Sequence, residues 1–174
     1  MKYKIIEIKA KCKNHDRIRS ILKSKHAKFE GIHHQIDTYF KINFGKLKLR
    51  ERNKENRLVY YKRENKRGPK QSNVTEFKFN HKLPIKEILT KSLGVLVIVD
   101  KQREVYYIDN VKFHLDVVKN LGKFFEIEAL DHEGKIGKRE LLKQCNFFLN
   151  LFVIPKNDLI SVSYSDLLLK KHKN

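Results

Sequence analysis

Apolar and charged residues alternate with a period of two through most of this chain. This constrains the fold more than any other feature, because only a β-strand sends successive side chains to opposite faces. In the first such segment Ile6, Ile8, Ala10 and Cys12 share one face and Glu7, Lys9 and Lys11 the other. The same division recurs at Leu47 and Leu49 against Lys46, Lys48 and Arg50, at Val59 and Tyr61 against Tyr60 and Lys62, and at Phe77 and Phe79 against Glu76 and Lys78. Further on, Val111, Phe113 and Leu115 oppose Lys112, His114 and Asp116, and Phe125, Ile127 and Ala129 oppose Glu126 and Glu128. From Val99 to Tyr107 the charged pair Lys101 and Arg103 lies on a face that becomes apolar.

Helical spacing is rarer. Asn14 can cap a helix carrying Ile18, Ile21 and Leu22, and Pro84 can open one carrying Ile85, Ile88 and Leu89. A longer helix is expected over 136–152, stopped before Pro155, and a short one over 164–171. The expected class is therefore α+β, antiparallel strands with helices outside. Seven Gly, three Pro and no Ser- or Pro-rich stretch leave no linker, so residues 1–174 read as one domain.

Charge sets the partner. Lys and Arg number 39 against 20 Asp and Glu, a formal net charge of +19 that calls for an anion. Hydrophobic residues make up 40 %, enough for a core, which excludes a wholly disordered basic tail. Cys12 and Cys145 match no disulfide or zinc spacing. No apolar run approaches the ~20 residues of a membrane helix, and the first residues carry no signal-peptide h-region. A cytoplasmic protein with no membrane partner is the expectation.

The charged strand faces have two readings. One is ordinary solvation. The other is that the sheet closes into a barrel, so that Lys9 with Lys11, Lys48 with Arg50, Lys101 with Arg103, and Glu126 with Glu128 line its inside. Many cations with a few carboxylates suit a polyphosphate and its divalent ion.

Several segments then carry a family resemblance. Ile6-Glu7-Ile8-Lys9-Ala10-Lys11 resembles the ExExK strand of the CYTH, or triphosphate tunnel metalloenzyme, superfamily. Gln35 to Phe40 resembles its QxDTYF segment and Gly45 to Glu51 its GxLKLRE segment. Leu58 to Arg63 followed by Gly68-Pro69-Lys70, Lys101-Gln102-Arg103, His114-Leu115-Asp116, Phe125 to Glu128 and Ser163 to Leu168 are similar to the CyaB-type class IV adenylate cyclase branch.

The resemblance implies an eight-stranded antiparallel β-tunnel with helices outside that binds a triphosphate with Mg²⁺ or Mn²⁺. By it, Glu7, Glu126 and Glu128 are metal ligands, and Lys9, Lys11, Lys48, Arg50, Lys62, Lys101 and Arg103 bind phosphate. Glu76 and Lys78 are further lumen residues. Lys101 and Arg103 would stabilise the departing pyrophosphate, and Asp116 or a water would take the proton of the attacking hydroxyl. The implied reaction is ATP to cyclic AMP and pyrophosphate; the alternatives are a triphosphatase or a non-catalytic triphosphate-binding module. Nucleic acid is a lesser partner attracted by the charge, and a homodimer stays open. Ile5 falls where the family has the first Glu, and an apolar side chain cannot ligate a hard cation.

The remaining features are read as structural. His33-His34 is expected in a surface loop without a metal role, both cysteines as packing residues, and the C-terminal Lys170 to Lys173 as a solvated tail. The segment from Lys54 to Lys70 reads as a basic loop, or as a lid bringing Lys62 or Arg63 to the tunnel mouth.

Overall fold

The computed structural model describes residues 1–52, 55–80 and 83–172; Lys54 and Lys173 lie outside them. Strands β1 (Lys2–Lys11), β2 (Lys28–Phe40), β3 (Lys46–Glu51), β4 (Asn56–Arg63), β5 (Lys70–Phe79), β6 (Val95–Ile108), β7 (Val111–Val118) and β8 (Gly122–Asp131) are all antiparallel to their neighbours. They close into a barrel in the order β1-β5-β4-β3-β2-β6-β7-β8. Four helices accompany them, α1 (His15–Ser24), α2 (Ile85–Leu93), α3 (Lys138–Leu151) and α4 (Tyr164–Lys171). The α+β class and the closed eight-stranded tunnel are as the strand pattern and the resemblance implied.

Over much of β1, β7 and β8 the outer face is apolar and the inner face charged. Ile6, Ile8 and Ala10 of β1, Val111, Phe113 and Leu115 of β7, and Phe125, Ile127 and Ala129 of β8 point outward into one core with Ile18 and Leu22 of α1 and Leu141, Cys145 and Phe148 of α3. Phe113 and Ile127 are wholly buried there, each stabilising the fold by about 1.5–3 kcal/mol through removal from water. With the apolar faces committed to this helix layer, period two leaves the charged faces no direction but inward. A smaller core joins Phe40, Leu49 and Phe79 to Ile85, Leu89 and Leu93 of α2.

Local chemistry sets the helix ends. The Asn14 side chain accepts the Arg17 N–H at the start of α1, and Ser163 and Asp166 form a reciprocal capping box on α4. The turn from β2 to β3 needs Gly45, whose φ is +71° and whose Cβ, if it had one, would sit 2.7 Å from the Tyr60 hydroxyl. His33 and His34 lie within β2 rather than in a loop, because that strand continues back to Lys28 along β6.

The C-terminal segment seals one end of the barrel. Ile160 donates its N–H to the Lys9 carbonyl at 2.8 Å, and Lys70 Nζ donates to the Ile160 carbonyl at 2.7 Å. Lys46 Nζ donates to Ser163 Oγ at 2.7 Å and also binds Asp166, fixing the start of α4 so that Tyr164 enters the barrel.

Candidate active site inside the barrel

Inward-facing side chains from every strand enclose a cavity of about 170 Å³. Nine cations line it, Lys9, Lys48, Arg50, Arg52, Arg57, Arg63, Lys101, Arg103 and Lys112, against six carboxylates, Glu7, Glu30, Asp37, Glu76, Glu126 and Glu128. The excess of positive charge makes the lumen an anion site. Burial in low dielectric strengthens every attraction inside it.

Three carboxylates organise these cations. Asp37, 1 % exposed, accepts Arg50 Nε at 2.7 Å, Arg50 Nη2 at 2.9 Å, Lys48 Nζ at 3.0 Å and Lys101 Nζ at 2.8 Å. Burial alone would raise its carboxyl, but Arg50, Lys101 and Lys48 override this and hold it well below the usual range. Glu126 is bound by Lys9 and Arg103 and faces His114 Nδ1 at 3.3 Å. The same opposition, burial against Lys9 and Arg103, leaves its carboxyl well below the usual range. Asp116 accepts Arg103 Nε at 2.6 Å and the Tyr164 hydroxyl at 2.7 Å.

Lys48 is the soft member of the set. Burial, with Arg50 beside it, pushes its ammonium down to about 7, and burial brings Lys101 to about 8. A bound polyanion favours the charged form of both. Below pH 7 Lys48 already carries its proton, whereas above it binding must bring one in, so affinity falls as pH rises through that value. Calorimetric titration with tripolyphosphate at pH 8, in two buffers of different ionisation enthalpy, is expected to show net proton uptake that shrinks at pH 6. Equal heats in both buffers at pH 8 would refute this.

Most of the expected site residues meet in this lumen: Glu7, Lys9, Lys48, Arg50, Glu76, Lys101, Arg103, Glu126 and Glu128 all line it. Lys11 does not; it ends β1, is exposed, and lies past the sealed end. Lys62 is exposed on the outer surface, and Lys78, on the face of Glu76 and opposite Arg57, is exposed beyond the cavity and does not line it. On β4 it is Arg57, Val59, Tyr61 and Arg63 that face inward, so the face carrying the apolar residues is the lumen face. Arg63 takes the place expected of Lys62. Asp116 is 0 % exposed, does not line the cavity and accepts from Arg103 and the Tyr164 hydroxyl, so it holds Arg103 in place.

Several functional candidates escaped the sequence reading. Asp37 and Tyr164 lie inside recognisable motifs but were given no role. Arg63 was named only beside Lys62 as a lid residue at the tunnel mouth, and His114 was hidden by its place among residues expected to be merely polar. Its ring offers a ligand atom within 4.8 Å of ligand atoms on Glu126 and Glu128, the one such group among the described residues. Two carboxylates suit a hard divalent ion, and the imidazole is a third donor open to it. The donors therefore fit the expected ion, which would exchange with Lys9 for a Glu126 oxygen. Glu7 stands outside this group, its Oε1 accepting from Ser72 Oγ at 2.9 Å and from Arg63 Nη1 at 3.1 Å.

The family model described as CYTH domain matches residues 4–161. The chain belongs to the CYTH family. CYTH proteins bind triphosphates, and the tunnel enzymes among them generally depend on divalent metal. Among solved structures, the PH1012 protein of Pyrococcus horikoshii OT3 is 25 % identical with a TM-score of 0.74, covering 94 % of this chain and 98 % of that one. The PH1819 protein of the same organism gives 23 % and 0.74, over 96 % and 99 %. A protein from Vibrio parahaemolyticus solved as a candidate adenylate cyclase gives 15 % and 0.75, over 95 % and 97 %. The last two likenesses establish the shared CYTH fold. No curated protein matches the sequence. Among the described residues no helix is long and apolar enough to cross a membrane.

Proposed function

We propose that this CYTH chain is a divalent-metal-dependent enzyme that cleaves a phosphoanhydride bond of a triphosphate held in its lumen. Arg63 carries the reading. Its side chain is 5 % exposed, Nη1 donates to Glu7, and Nε and Nη2 are buried without a partner among the described residues. A buried guanidinium left with free donors is costly unless an acceptor arrives, and phosphate oxygens are the acceptors its planar fork matches. Lys9, Lys48, Arg50, Lys101 and Arg103 share the same cavity and extend the cradle along a chain of phosphates.

His114, Glu126 and Glu128 would hold the ion, which when bound supplies Lewis-acid polarisation of phosphate oxygens. Arg103, fixed by its double contact with Asp116, presents positive charge where the leaving phosphate accumulates negative charge. The attacking oxygen forms its bond to phosphorus as the phosphoanhydride bond breaks, and the electron pair departs with the leaving group. Its proton passes to water, since Asp116 does not line the cavity. A ribose hydroxyl as nucleophile gives a cyclic nucleotide and pyrophosphate, the class IV adenylate cyclase reaction; water as nucleophile gives the triphosphatase reaction.

Phosphorus NMR of ATP and of tripolyphosphate incubated with the protein and Mn²⁺ or Mg²⁺ tests this. Cyclic AMP with pyrophosphate, or orthophosphate, is the expected outcome. Binding without any product would make the chain a triphosphate-binding module. Glu126→Gln is expected to weaken Mn²⁺ binding at least about tenfold. Glu133→Gln, on a side chain 69 % exposed, is expected to leave it unchanged.

A further inference from the structure

One stretch of the lumen wall carries no charge. Ile5 and Leu130 face each other across β1 and β8, Tyr3 and Val74 across β1 and β5, and Val74 and Tyr61 across β5 and β4. Val59 lies two residues before Tyr61 on the same face, and all six side chains line the cavity. Five of them belong to one buried apolar cluster, with Tyr3 packed against it. The patch is therefore continuous over four adjacent strands, β8, β1, β5 and β4.

An inorganic triphosphate gains nothing from such a wall. Its oxygens need donors at every point, and apolar side chains cost it hydration without replacing the lost hydrogen bonds. An attached organic group with a planar, partly apolar ring gains area burial on Ile5, Val74 and Leu130, and a stacking surface on Tyr3 and Tyr61. The wall also lies beside the phosphate seat. Arg63 pairs with Ser72 across β4 and β5, and Ser72 pairs with Ile5 across β5 and β1. A phosphate on the free Arg63 donors thus places what is attached to it next to Ile5.

We infer that this wall selects a triphosphate ester bearing a planar organic group over inorganic tripolyphosphate, with Ile5 as a specificity-determining residue. The inference rests on the triphosphate-binding reading above. Ile5 acquires a function by it: where a carboxylate would extend the charged lining, the isoleucine joins the apolar patch.

Electrostatics alone predicts the reverse order, because tripolyphosphate is the more highly charged anion. Equilibrium binding of ATP and of tripolyphosphate, measured by calorimetry with divalent ions chelated so that neither is consumed, therefore separates the two effects. ATP is expected to bind at least about tenfold tighter. Ile5→Gln is expected to reduce that preference toward unity while leaving tripolyphosphate affinity within about twofold. Should the variant fail to fold, nuclear Overhauser contacts from the adenine ring protons to the methyls of Ile5, Val74 and Leu130 in the wild-type protein give the same information. Equal or tighter tripolyphosphate binding, an unchanged preference in the variant, or the absence of those contacts would overturn the inference while the triphosphate reading stood. Failure of both anions to bind would overturn both.

Discussion

Arg103→Ala is expected to cost about 3–5 kcal/mol of folding stability, the range for removing one partner of a buried charge network. The guanidinium is 4 % exposed and joins two carboxylates that are themselves buried, Asp116 and Glu126, each fixed by further partners. Its removal strands Asp116 with only the Tyr164 hydroxyl, and leaves Glu126 to Lys9 and His114. Tyr164 belongs to α4, so the loss is expected to loosen the sealed end of the barrel as well. Urea denaturation followed by circular dichroism measures the cost. Lys at this position keeps a charge but cannot span both carboxylates, so Arg103→Lys should fall between wild type and alanine. A change below about 1 kcal/mol in the alanine variant would show that the network is not the coupled unit described. A pH series adds a check on sign. The folded-state carboxyls of Asp116 and Glu126 lie below their ordinary values, so the stability they supply is complete above about pH 4 and is lost as pH falls below it.

Arg63→Ala is expected to have a different profile, a large loss of ligand binding with a smaller loss of stability. Two donors without protein partners wait for an acceptor, and each charge-assisted hydrogen bond to phosphate is worth about 1.5–3 kcal/mol, so tripolyphosphate affinity should fall a hundredfold or more. Stability should fall less than for Arg103→Ala, because Arg63 serves one carboxylate rather than two, is under-satisfied in the free protein, and leaves Glu7 its Ser72 bond. Ligand-induced stabilisation offers a direct readout. Tripolyphosphate at about 100 times its dissociation constant should add about 2.7 kcal/mol to the wild-type protein, and almost nothing to the variant at the same concentration. Equal stabilisation of both proteins would remove Arg63 from the phosphate seat.

These residues differ in how legible they were. Arg103 was readable because Lys101 and Arg103 sit two apart on a strand whose other inward residues include Val97, Val99, Val105 and Tyr107, a pattern that plain solvation does not produce. Arg63 was not. On β4 the apolar Val59 and Tyr61 share its face, and an apolar face is normally assigned to the core. That inference failed because the lumen has its own apolar wall, to which both residues belong. Lys62 was misplaced for the same reason, Lys78 because its strand runs past the cavity, and Lys11 because the barrel is sealed before β1 ends. Asp116 shows a different limit. Its face was right, but sequence carries no information on whether a carboxylate's oxygens are already taken.

What the sequence determined by itself is the periodicity, and through it the class of fold. Side-chain direction along a strand is fixed by backbone geometry, so the two-residue repeat specified β-structure, and Ile18, Leu22, Leu141 and Phe148 at helical spacing specified the layer that would cover it. With the ordered motifs, the charge of +19 pointed to a polyanion before any coordinate was known. The tertiary structure decided which face of each strand turns inward and which charges neutralise one another. Closure brings residues far apart in sequence together, as Lys101 with Asp37, Lys9 with Glu126 and Arg63 with Glu7. Only distances across the barrel distinguish a cation already paired from one still holding free donors, and that distinction separates Arg103, which holds the site together, from Arg63, which is open to a ligand.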